Sequence, residues 1–140
     1  MTLDELEEIL KWKLRKQFGR TKKKREGNTN DNVIEITRAA FSVTHTDKDF
    51  ETKLKINLLS TLAGVKIPVA SAILTLCFPT LYAVVDFRNW QVFNAGERKT
   101  SYTPNDYVKY LKKIRQEAKK YELTPQEIDI AIWQNDLEGK

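Results

Sequence analysis

Three stretches of this sequence open with the same device. Thr2-Leu3-Asp4-Glu5 places an acid three residues after a threonine. Thr103-Pro104-Asn105-Asp106 and Thr124-Pro125-Gln126-Glu127 do the same with a proline between. A threonine hydroxyl can accept from the backbone N–H three residues on, while the acid reaches back to the threonine N–H. A proline in the first turn has no N–H to leave unpaired. Each stretch is therefore a helix start. Behind the first, Leu3, Leu6, Ile9, Leu10 and Leu14 recur at helical spacing, which predicts a helix over about 3–18 that ends near Gly19. The same period predicts helices over about 32–42, capped by Asn30 or Asp31, and over about 48–62, capped by Thr46 or Asp47. Others are expected from Pro68 onward, over 87–93 behind Asp86, over 104–121 and over 125–135. Only Tyr82-Ala83-Val84-Val85 reads as extended. Without strand pairs or internal repeats, the expected fold is all-α, a single helical domain over 1–140.

The buried faces follow from the same period. Val33, Ile36, Ala40 and Phe41 should form one, and Phe50, Leu54, Leu58 and Leu62 another. Cys77, Trp90 and Trp133 sit on apolar helical stretches and read as core. Tyr102, Tyr107, Tyr110 and Tyr121 should cover the core with their hydroxyls in water.

Charge narrows the partner. Residues 11–25 carry nine lysines and arginines and no acid, in a chain of net charge +5 and pI about 9.3. Such a run repels itself, so the polar stretch over about 19–31 is expected to be a flexible basic loop. It favours an anionic partner. The single cysteine, Cys77, cannot close a disulfide within the chain, and with one histidine, His45, it supplies no ligand set for zinc or an iron–sulfur cluster. His45 lies in a polar stretch and reads as a surface residue. No cofactor is expected. The longest apolar stretch, 69–85, is interrupted by Pro79 and too short for a bilayer, and the first residues are acidic, the reverse of a secretory start. The expectation is an intracellular protein with no membrane partner.

The segment Leu58-Leu59-Ser60-Thr61-Leu62-Ala63-Gly64-Val65-Lys66-Ile67-Pro68-Val69-Ala70-Ser71-Ala72-Ile73-Leu74 resembles a helix-hairpin-helix motif, with Leu62, Gly64, Val65, Ala70 and Ile73 in the matching places. The motif extends over about 53–77. About a dozen residues later comes Val84-Val85-Asp86-Phe87-Arg88-Asn89-Trp90. It is similar to the element that carries the catalytic aspartate of helix-hairpin-helix DNA glycosylases, the endonuclease III-like superfamily. The resemblance covers about residues 50–95. It implies a helical bundle with a central cleft, a hairpin that holds DNA phosphates, and Asp86 as the catalytic carboxylate. Duplex DNA is the implied partner, and a monovalent cation at the hairpin is compatible with it. Two positions depart from the pattern. Lys66 replaces the second glycine of the hairpin, and Pro68 stands where bifunctional members keep a nucleophilic lysine. Proline cannot attack the sugar, so the resemblance implies a monofunctional enzyme without lyase activity.

The residues expected at the interface are then Gly64, Val65 and Lys66 of the hairpin, Lys22, Lys23, Lys24 and Arg25 of the basic run, and Arg88. Trp12, between two lysines, and Trp90, one turn after Asp86, are the aromatic candidates for a base pocket. Two other readings stay open. The hairpin and the basic run can serve a binding module without catalysis, in which Asp86 is only a helix cap. A helical protein-interaction domain is the third.

Overall fold

The computed structural model describes residues 1–138. Eight α-helices carry the chain, and among the described residues there is no strand. They are α1 (Leu3–Leu14), α2 (Lys22–Arg25), α3 (Asn30–Ser42), α4 (Lys48–Leu59), α5 (Ile67–Cys77), α6 (Phe87–Phe93), α7 (Pro104–Tyr121) and α8 (Pro125–Glu138). The contacts divide the molecule into two compact units, residues 1–70 and 71–140, and α5 runs through the division.

Local chemistry sets the helix starts. Thr2 and Thr103 form capping boxes with Glu5 and Asp106, and Thr124 exchanges the same pair of hydrogen bonds with Glu127. Asp47 and Asp86 cap α4 and α6. The cap of α3 is Thr29, one residue before the expected candidates, because its hydroxyl accepts from the Asn32 N–H. Asn30 is occupied elsewhere: its side-chain oxygen accepts from the N–H of Leu3, tying α3 to the first turn of α1.

In the first unit, α3 packs on α1 and α4. Leu6, Leu10, Val33, Ala40, Ile56 and Leu59 are wholly buried. The inward face of α4 differs from the expected one. Thr52, Lys55, Ile56 and Leu59 point in, and Phe50 is exposed. The reason is Lys55, only 4% exposed, whose Nζ donates to the carbonyls of Ala40 and Phe41 at 3.1 and 3.3 Å. These carbonyls lie in the last turn of α3, where a helix leaves C=O groups to be met by donors from outside. Burial holds the Lys55 ammonium below the usual lysine range. Phe50 instead packs on the exposed His45, ring centroids 4.8 Å apart.

In the second unit, α7 and α6 pack on α8 and on each other. Tyr107 and Tyr110 are fully buried rather than wet at the hydroxyl, and each donates to a backbone carbonyl. Cys77 and Trp133 are exposed, against expectation, because each lies toward the end of its helix, beyond the buried stretch.

Glu122 ends α7 in the left-handed conformation, φ +56° and ψ +40°, with the Leu123 N–H returning to the Ala118 carbonyl at 2.8 Å. This is the geometry glycine favours at a helix end. Glu122→Gly should raise stability by about 0.5–1 kcal/mol, read from the midpoint of urea unfolding.

Candidate nucleic-acid interface

The turn between α4 and α5 is built from alternating buried and exposed residues. Val65 and Ile67 are buried, and Lys66 between them is exposed. Gly64 has φ +80°, which lets the chain reverse after Leu62, and the Val65 N–H closes the turn on the Leu62 carbonyl at 3.1 Å. Among the described residues the backbone N–H groups of Gly64 and Lys66 take no acceptor. They lie just ahead of α5, at the helix end that carries partial positive charge.

The expected basic loop takes a different form. The chain leaves α1 at Arg15, where φ is +49°, and winds through two 3₁₀ turns, Arg15–Gln17 and Gly19–Thr21, into the short helix α2. Lys22, Lys23 and Lys24 are exposed. Arg25 is turned inward, 7% exposed. Its guanidinium pairs with Glu7 and donates to the Phe18 carbonyl at 2.7 Å and to the Thr21 hydroxyl at 3.2 Å. It also lies over the Phe18 ring, 3.7 Å from its centre. Arg25 therefore has no free face for a phosphate, and the basic run supplies three exposed lysines instead of four cations.

Arg25 acts on the turn directly. A Cβ placed on Gly64 would lie 2.8 Å from the Arg25 Cγ, so the turn packs against the arginine stem where only glycine leaves room. Asn28 completes the clasp. Its Nδ2 donates to the Ala63 carbonyl and its Oδ1 accepts from the Ala63 N–H, each at 2.8 Å. One helical turn separates Lys22 from Arg25. The clasp thus ties α2, which carries Lys22–Lys24, to the turn that carries Lys66, some forty residues away in sequence. Sequence reasoning passed over Asn28. The only signal was an amide side chain next to Gly27 in a stretch read as loop.

Asp86 lies in the second unit. Its Oδ1 accepts from the Asn89 N–H at 2.9 Å as the cap of α6. Among the described residues its Oδ2 accepts no hydrogen bond. The extended segment that leads to it is buried and held by side chains. Arg115 donates to the Leu81 carbonyl, Tyr107 to that of Ala83, and Tyr110 and Asn89 to that of Val84. Asp129 and Ser71 accept from the N–H groups of Val84 and Val85. Tyr102 stands near: burial, then the charges of Asp86 and Asp106, push its hydroxyl up to about 12.

Trp90 does not offer a free face. It is 5% exposed, its indole N–H donates to Glu97 at 3.0 Å, and Tyr102 packs on its ring. Arg88 lies over the Phe87 ring and borders a groove of about 750 Å³ with Val92, Phe93, Tyr121 and Ile128; Asp86 is not in its lining. Trp12 is 57% exposed on α1. Among the described residues no group of three His, Cys, Asp or Glu is placed to hold a metal ion. No helix among them is long and apolar enough to cross a membrane.

Comparison of the chain with protein-family models, curated proteins and solved structures returns no match.

The clasp makes a stability prediction. Gly64→Ala must strain a positive φ and displace Arg25, and should cost more than about 1 kcal/mol. Gly27→Ala meets only Ala63 Cβ at an ordinary 3.8 Å and should change stability by less than about 0.5 kcal/mol. Urea unfolding of the two variants reads both.

Proposed function

We propose that this chain binds duplex DNA by its sugar–phosphate backbone, with the α4–α5 turn as the grip. The observation that carries the reading is the turn itself: a glycine at positive φ, two backbone N–H groups without an acceptor, an exposed Lys66, and a helix starting behind them. Backbone N–H groups at a helix start attract phosphate oxygens, and a lysine beside them adds charge. The resemblance to a helix-hairpin-helix motif points the same way, and a helix-hairpin-helix glycosylase-like bundle is the finer fold this reading entails.

Lys66 and the three exposed lysines of α2 supply about four phosphate contacts. The slope of log K against log salt should then be about −3 to −4 for duplex DNA. Lys66→Glu should weaken all duplexes alike, since phosphate contacts carry no sequence information. A slope near zero, or equal binding by the Lys66→Glu protein, contradicts the reading.

A second reading adds chemistry, and one observation favours it. The buried extended segment holds Asp86 rigidly and leaves one carboxylate oxygen without a hydrogen bond. A carboxylate fixed in this way suits the stabilisation of an oxocarbenium-like charge while water adds to the sugar carbon and the base leaves. With Pro68 in place of a lysine, no imine forms with the sugar. Duplexes carrying a panel of damaged bases test this. Excision should leave abasic sites that break only in hot alkali, borohydride should trap no adduct, and Asp86→Asn should keep DNA binding while losing ~10²-fold in rate. If no lesion is cut, Asp86 is a cap and the protein a binding module.

A further inference from the structure

We infer that Trp12, together with the exposed cations of α1 and of the segment that follows it, takes an unpaired nucleobase of single-stranded DNA, a contact that shares Lys22–Lys24 with the duplex reading. Leu6 and Leu10 are wholly buried and anchor α1, so Trp12 is not needed for packing and stands 57% exposed. Among the described residues its ring stacks on no other ring and its indole N–H donates to none. An indole left this way can serve as a platform, since every base has a π-face that stacks on it.

The cations are held in place by the same ion pair that builds the clasp. Arg25 returns to Glu7 on α1 and closes the intervening chain into a loop. Lys11, Arg15, Arg20, Lys22, Lys23 and Lys24 are exposed on α1 and this loop, and among the described residues none of the six pairs with an acid. Glu8, one turn before Trp12, marks the acidic edge of the patch. Stacking and phosphate attraction together are the chemistry of single-strand recognition. A duplex offers the phosphates but keeps its base faces stacked inside. An anionic bilayer would need an apolar face on α1, and Leu6 and Leu10 are turned inward. An acidic peptide would use the cations and leave the indole without a partner.

The inference rests on the DNA-binding reading only in its choice of polymer, and the test separates the two. The full chain, Trp12→Ala and Trp12→Phe are titrated with a dT12 oligonucleotide and with a 12-base-pair duplex at equal salt. Phosphatidylserine-containing vesicles and polyglutamate are the control ligands. The expected result is tryptophan quenching by dT12 in the full chain, about tenfold weaker dT12 binding for Trp12→Ala, near-complete rescue by Trp12→Phe, and a less than twofold change for the duplex. Failure of the duplex to bind overturns the hairpin reading alone. Equal dT12 binding by the full chain and Trp12→Ala, loss on both DNA ligands alike, or tighter binding of vesicles or polyglutamate than of dT12 overturns this inference.

Discussion

A guanidinium taken out of water must recover several kcal/mol from its new neighbours, and Arg25 is buried. Its neighbours are drawn from different parts of the chain: a carboxylate from α1, a carbonyl and an aromatic face from Phe18, and a hydroxyl from Thr21. Once these are in place the arginine stem is fixed, and Gly64 must turn against it. Asn28 then pairs with both backbone groups of Ala63. The shape of the α4–α5 turn is thus set from outside the hairpin, by a segment that looks from its charge as if it should be unstructured. Removing Glu7 would leave the buried guanidinium without its carboxylate, so turn and N-terminal segment depend on each other.

The second unit meets a related difficulty by related means. An extended segment with no sheet to join must still satisfy its buried N–H and C=O groups. Here α7, α8, α6 and α5 each lend polar side chains: Tyr107 and Tyr110, Asp129, Asn89 and Ser71. The result is a short, hydrogen-bonded run that delivers Asp86 to the N-terminal cap of α6. In both units irregular backbone is fixed by side chains rather than by secondary structure, and in both the fixed element is the one with chemical potential.

Helix positions were legible because their signals are local. Thr-x-x-acid boxes, Pro104 and Pro125 in the first turn, and Asp86 before an apolar run act within four residues, and the ends of α6 and α7 match the expected bounds. What depended on distant partners was not legible. Lys55 looks like a surface residue until the ends of α3 are known to need a donor, and its burial rotates the inward face of α4 away from Phe50. Tyr107 and Tyr110 look amphipathic until a buried carbonyl is placed before each hydroxyl. In the basic run, Lys22–Lys24 and Arg25 are alike in charge. Only the planar fork of arginine can bond Phe18 and Thr21 while pairing with Glu7, and only its position opposite α1 shows that it does.

The central claim is that the turn at Gly64–Lys66 is a preformed phosphate grip. The most direct measurement is a ¹⁵N-resolved NMR titration of the chain with a 12-base-pair duplex at low salt. The account predicts that the amide signals of Gly64 and Lys66 shift most on binding, while that of Ala63, already bonded to Asn28, moves little. Duplex binding that leaves the Gly64 and Lys66 amides unmoved, with the largest shifts elsewhere, would contradict it.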